Sequence, residues 1–284
     1  MHPTHSRFAA CVILLFLSHA FTFAENQQQN KHDSPPIQDN SFLVEEAYNQ
    51  EKDVVQHINN FTYFSQSHDW FYSFTQEWPV RGLKNQLSYT FTTVRPGAFS
   101  SSGVGFGDAL INYRYQLIGT GETRLAFSPR LSLIIPSGNS DLGRGYGGAG
   151  VQTNLPVSLV LFPKLVTHWN AGATFVPHAH NGAGDSASSV AYNAGQSFIW
   201  LVRPRFNLML ETYYANAQSV IGPSHTAWRQ TLLINPGVRW AYNFSSGLQI
   251  VPGISMPIGV GPSAGERGVF VYLSFEHPFR KITP

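Results

Sequence analysis

Beyond residue 56 the chain repeats one pattern: stretches of roughly 10 residues in which apolar and polar side chains alternate. Phe206-Asn207-Leu208-Met209-Leu210-Glu211-Thr212-Tyr213-Tyr214 is a clear case. One parity, with Phe206, Leu208, Leu210 and Tyr214, is fit to meet lipid. The other carries Asn207 and Glu211 and needs water or a polar partner. Successive side chains of a strand point to opposite faces, so each stretch predicts a strand with one apolar and one polar face. Repetition of such strands predicts an all-β fold, a transmembrane antiparallel up-and-down β-barrel of about 12 strands.

The strands are expected near 57–66, 69–79, 85–94, 105–117, 123–136, 150–162, 164–176, 190–202, 205–215, 229–243, 247–258 and 268–279. Their connections alternate in length. Those at Phe162-Pro163-Lys164, Arg203-Pro204-Arg205, Ser245-Ser246-Gly247 and around Gly119-Thr120-Gly121 are tight. Long polar or Gly-rich connections fall near 95–104, 137–149, 177–189, 215–228 and 259–267. Short periplasmic turns and longer outer loops are the habit of outer-membrane barrels. The connection at Ser67-His68 is the exception, external by count yet short. Trp70 and Trp78 share a parity, as do Tyr192 and Trp200. Eight residues at about 3.3 Å each, tilted, cover roughly 20 Å, close to the separation of two aromatic girdles. The last strand closes on Phe279, an aromatic in the outward parity that resembles a barrel-assembly signal.

Residues 1–24 read as a secretory signal: Arg7, then the apolar run Phe8–Leu17, then Thr22-Phe23-Ala24 as a small-x-Ala cleavage site. The sole cysteine, Cys11, lies inside it, so a mature chain has no disulfide, thiolate metal site or thiol nucleophile. Residues 25–56 form a polar periplasmic lead and a candidate plug, and 57–284 the barrel. Only 12% of residues are charged against 14% aromatic, where a soluble domain carries about 25% charged residues. A lipid-facing surface accounts for that deficit. A net charge of +2 gives no reason to expect nucleic acid. The expected setting is the bacterial outer membrane. Lipid, lipopolysaccharide, the barrel assembly machinery and a small solute are the expected partners.

Several segments together are familiar: Ser41-Phe42-Leu43-Val44-Glu45-Glu46-Ala47-Tyr48-Asn49-Gln50-Glu51, Gly107-Asp108-Ala109-Leu110-Ile111-Asn112-Tyr113-Arg114-Tyr115, Pro129-Arg130-Leu131-Ser132-Leu133-Ile134-Ile135-Pro136-Ser137-Gly138, and Gly150-Val151-Gln152-Thr153-Asn154-Leu155-Pro156. Through them the chain resembles, over most of residues 41–279, the outer-membrane transporter family named for the meta-cleavage pathway of phenol degradation. The resemblance implies a barrel with an uptake role for small, often aromatic or apolar, compounds. It implies no site residues.

In this register the inward positions include Asp108, Asn112 and Arg114 on the fourth strand and Arg130 on the fifth. His168 and Asn170 lie on the seventh, Glu211 on the ninth, Arg239 on the tenth and Glu276 on the twelfth. A Lys or Arg at mid-depth on the lipid face costs about 2–4 kcal/mol, so these nine are the candidate pore lining. Either they set a selective eyelet, or they pair off and brace a filled interior. His178-Ala179-His180 with Asp185 lacks enough ligands for a metal site. The run Gly143–Gly150 lacks the Lys-Ser/Thr ending of a phosphate loop and is expected as an outer loop that can fold inward. No cofactor is expected. Two other readings stay open. One is a plugged, non-conducting surface barrel. The other is a rim hydrolase using serines such as Ser186, Ser188, Ser189 or Ser224 near His178, His180 or His225.

Overall fold

A computed structural model describes residues 40–278. The signal at 1–24, the lead as far as residue 39, and Phe279 lie outside the described residues. The described chain is a closed antiparallel barrel of 12 strands. In chain order these are β1 (Val54–Phe64), β2 (Trp70–Pro79), β3 (Asn85–Arg95) and β4 (Gly105–Phe106 with Ala109–Tyr115). Then come β5 (Leu125–Phe127 with Arg130–Ile135), β6 (Gly150–Asn154 with Val157–Phe162), β7 (Leu165–His180) and β8 (Ser186–Arg203). The last are β9 (Phe206–Gly222), β10 (His225–Trp240 with Tyr242–Asn243), β11 (Gln249–Ser255 with Ile258–Gly259) and β12 (Gly268–Pro278). Each pairs with its sequence neighbours. The seam closes β1 on β12, from Val54 opposite Pro278 to Phe64 opposite Gly268. Closure leaves no unpaired edge, which a bilayer demands of a sheet.

The period-two pattern settles which face is which. On β5, Leu131 and Leu133 are each 49% exposed, whereas Ser132 is 0% and Ile134 3% exposed. On β9, Leu208 and Leu210 face out while Asn207 and Glu211 are fully buried. Apolar side chains line the outside and most polar ones the inside, the inverse of a soluble protein. Tyr192 and Trp200 both face outward, as expected of girdle residues.

Strands β5, β6 and β11 are interrupted at Pro129, Pro156 and Pro257. Proline has no N–H to give to the ladder. The chains hold together across the first two breaks, the Ser128 N–H donating to the Pro156 carbonyl at 3.3 Å.

Two expected long outer loops are absent. Near 177–189 only residues 181–185 leave the ladder, and near 215–228 only Pro223 and Ser224 do. Strands β7–β10 run 16 to 18 residues, longer than an apolar band of roughly 25 Å requires. Above that band both faces meet water. The alternation therefore fades from the sequence while the backbone ladder continues. The first strand also opens at Val54, three residues before His57. The short connection at Ser67-His68 is tied down from outside its own hairpin. Glu266, before β12, accepts the N–H groups of Gln66 at 2.9 Å and Ser67 at 3.0 Å.

Candidate functional site

Residues 40–50 form an irregular, bent arm inside the barrel, nearest the rim where the described chain begins and ends. Such an arm has no ladder or helix of its own, so its N–H groups need other acceptors. Inward side chains supply them. Glu211 takes the N–H groups of Phe42 and Leu43 at 2.9 and 3.0 Å. Asn170 takes Glu45 N–H at 2.8 Å and returns a bond to the Glu45 carbonyl at 2.8 Å. Ser158 takes Ala47 N–H at 2.7 Å, Gln116 takes Asn49 N–H at 2.9 Å and Gln86 takes Gln50 N–H at 2.6 Å. Four of these acceptors lie on β3, β6, β7 and β9 and the fifth, Gln116, just beyond β4, so the arm winds about the lumen.

Apolar anchors reinforce those bonds. Phe42 is buried among Ile199, Met209, Val251, Phe270 and Tyr272, with ring centroids 5.2 Å from Phe270 and 5.5 Å from Tyr272. Its ring lies on bare backbone: a Cβ at Gly237 would come within 2.8 Å of it, and one at Gly253 within 2.6 Å. Val44 sits the same way over Gly195, at 2.8 Å. Glycine in a strand otherwise weakens it, and close approach of another chain segment is what it permits.

Electrostatics complete the grip. The Glu45 carboxylate accepts from Arg130 Nη2 at 2.6 Å, Arg130 Nε at 3.0 Å and Arg114 Nη2 at 3.0 Å. Glu46 lies 3.6 Å from Arg114. Burial alone would raise the Glu45 pKa, but Arg130 and Arg114 outweigh it and hold the group at about 2. Glu45 is therefore an anion at neutral pH.

The arm does not fill the lumen. A cavity of about 290 Å³ remains, walled by arm residues and by inward side chains of β1–β6, with Tyr272 of β12. Arg114, Arg130 and Asn112 face it together with Glu77, Thr90 and Gln152. Towards the opposite rim, Tyr146 of the loop at 137–149 packs against the cluster of Ile134, Val176 and Ala179, as Leu110 and Val220 also do. Asp108 pins that loop by accepting the N–H groups of Tyr146 at 2.7 Å and Gly138 at 3.0 Å. The Gly-rich run does fold inward here.

All nine candidate lining residues are buried or half-buried. They have different surroundings. Asn112 accepts from Arg130 at 3.0 Å, and Glu45 joins Arg130 to Arg114 at the cavity. Asn170 and Glu211 hold arm backbone. His168 is buried with Nδ1 2.6 Å from Ser158 Oγ and its ring beside Tyr48. Arg239 lies over the Tyr272 ring at 5.9 Å and shares a small pocket with Glu276 and Asn40. Glu276 accepts from Gln56, which bonds Gln50 of the arm. Sequence reasoning missed Glu45 and Phe42 as partners of this wall. The available signal was the set of glycines inside strands, Gly195, Gly237 and Gly253.

At the outer rim, Ser188 Oγ donates to the Pro177 carbonyl at 3.0 Å and Ser189 Oγ to the Gln218 carbonyl at 2.9 Å. His180 Nδ1 lies 3.2 Å from the Gly147 carbonyl and His225 Nδ1 2.6 Å from that of Pro223. Among the described residues Ser188 and Ser189 thus bond backbone carbonyls. Among the described residues no three His, Cys, Asp or Glu side chains converge as metal ligands.

Comparison with known proteins places this geometry. The family model described as "Putative MetA-pathway of phenol degradation" matches residues 32–270. No curated protein matches the sequence. Among solved structures, the NanC porin superposes with a TM-score of 0.51 at 12% identity, over 77% of this chain and 98% of that one. The KdgM porin gives 0.46 at 8% identity, over 80% and 99%. The Pseudomonas putida toluene transporter TodX gives 0.37 at 8% identity, over 87% and 99%. The first likeness shows a shared barrel fold.

Proposed function

The chain belongs to the family described by the MetA-pathway of phenol degradation, and on that premise we propose that it is a bacterial outer-membrane channel for passive uptake of small solutes, aromatic or apolar compounds among them. The observation that carries this reading is the cavity of about 290 Å³ left between the arm and the wall of β1–β6. A structural plug alone has no need of a chamber of mixed polar and apolar lining beside it. In this reading residues 40–50 are the inner constriction and Tyr146 narrows the outer mouth. Asn112, Arg114 and Arg130 sort solutes in the chamber. Asn170, Glu211, Arg239 and Glu276 line the lumen where the arm is seated, and His168 and Asp108 brace it.

The test is single-channel conductance of the refolded mature protein in a planar bilayer, with and without residues 25–50. The cut stops at 50 because Gln56 is already on β1. Discrete steps that grow on truncation are the expected outcome. Silence from both forms, with folding confirmed by heat-modifiable migration, would leave the channel reading without support. That result would favour a non-conducting surface barrel, a reading for which the satisfied arm backbone and its glycine floor already speak.

A further inference from the structure

Arg114 of β4 and Arg130 of β5 stand directly opposite each other across the ladder. Both side chains point into the lumen. Like charges directly opposite destabilise a strand pair, and guanidinium groups withdrawn from water need an anion. Glu45 is that anion. One carboxylate oxygen meets Arg130 Nη2, and the other bridges Arg130 Nε and Arg114 Nη2. The forked contact on Arg130 is the geometry by which arginine recognises any carboxylate. Among the described residues no other acid lies within ion-pair distance of Arg130. For Arg130 the anion arrives on the arm, not on the barrel wall, so it leaves if the arm leaves; Arg114 has Glu46 of the arm at 3.6 Å as well, and Glu77 of β2 lines the same cavity.

The contact opens on the chamber. The Glu45 side chain keeps 30% exposure, and with both arginines it lines the cavity of about 290 Å³. That volume is close to the lower end, roughly 300 Å³, of small-ligand pockets. The rest of the wall is mixed: Leu110, Ile58 and Tyr272 offer apolar surface, and Gln152 and Ser88 offer hydrogen bonds.

We propose that the Arg114–Arg130 pair is a binding site for a small organic carboxylate, that Glu45 is its built-in substitute, and that the arriving solute releases the arm by taking those N–H groups. At Arg130 one carboxylate replaces another and Glu45 passes to water; Glu46, 3.6 Å from Arg114, leaves with the arm, and Glu77 of β2 stays in the cavity wall. Release deepens the channel reading and rests on it. Binding stands without conduction.

The experiment uses 4-fluorobenzoate followed by fluorine NMR on the refolded mature protein in detergent, with 4-fluorobenzyl alcohol as neutral control. Glu45→Gln removes the competing anion, and we expect it to bind the benzoate at least ten-fold tighter than the native chain. The alcohol gains nothing, and adding Arg130→Gln abolishes the gain. The form lacking residues 25–50 serves if Glu45→Gln does not fold, and it is expected to bind as tightly. Equal benzoate affinity in the native, Glu45→Gln and truncated forms overturns the proposal, as does a gain that survives Arg130→Gln. Longer openings of the native protein in benzoate support release. Binding with no conductance from any form overturns release and the channel reading together, and leaves the carboxylate site standing.

Discussion

The two sides of this barrel treat the same arm differently. The wall from β7 to β11 holds it by packing and by backbone hydrogen bonds. Phe42 and Val44 press onto Gly237, Gly253 and Gly195 there, and Asn170 and Glu211 take its backbone N–H groups. Its strands β7–β10 are long. The wall from β1 to β6 has shorter strands, three of them split. It too takes arm N–H groups, through Ser158 and Gln86, but adds charge, Glu45 on Arg114 and Arg130, and stands back to leave the chamber. Packing that fills glycine sockets is lost all at once. An ion pair beside water can be exchanged for another. The first side is built to keep the arm, the second to let it go.

Glu45→Lys attacks the second side and should have the largest effect. It sets a third cation against two buried arginines. Breaking a buried pair while leaving its partners uncompensated costs about 3–5 kcal/mol. The arm is expected to leave the chamber in most molecules while Phe42 still tethers it. Limited proteolysis within residues 45–52 measures this, and a cleavage rate equal to the native one would count against the charged latch. Acid should do the same more mildly. The Glu45 pKa is depressed from 4.5 to about 2 by docking. Its contribution is therefore complete above pH 4.5 and is lost as pH falls towards 2. Neutral Glu45 can still accept hydrogen bonds, so the rise in cleavage on acidification should be smaller than for lysine. A profile flat from pH 6 to pH 3 would break the assignment.

Gly253→Leu attacks the first side. A side chain there must displace the Phe42 ring, and overpacking of this kind costs about 1–3 kcal/mol. The expected result is looser binding of residues 40–43, read as faster hydrogen exchange at Phe42 and Leu43, with the Glu45 contact intact. Simultaneous loss of both contacts would show that the two sides act as one.

The strands could be read directly because alternation is local, needing only neighbours two apart, as on β9. The inward place of Arg114, Arg130 and Glu211 followed from it. Their partners did not. Glu45 meets Arg114 and Arg130 across 69 and 85 residues, and no spacing rule reaches that far. Charge alone left an eyelet and a braced interior equally open, because the same residues serve either until the arm is placed. The reach of β7–β10 through 177–189 and 215–228 was hidden for another reason. With water on both faces, Asn216, Gln218 and Ser219 carry no contrast between parities.

The smallest effect is expected where the two sides meet at the outer seam. Glu266 binds the N–H groups of Gln66 and Ser67, and those bonds lower its pKa against the opposing effect of burial. Glu266→Ala removes the acceptor but leaves water free to replace it at this exposed site. The loss is about 0.5–1.5 kcal/mol per bond at most. Heat-modifiable migration should shift by a few degrees, and conductance of the form lacking residues 25–50 should not change. A large change in conductance would mean that the β1–β2 turn and the loop before β12 help shape the pore mouth, and that the seam belongs with the releasing side and is not neutral between the two.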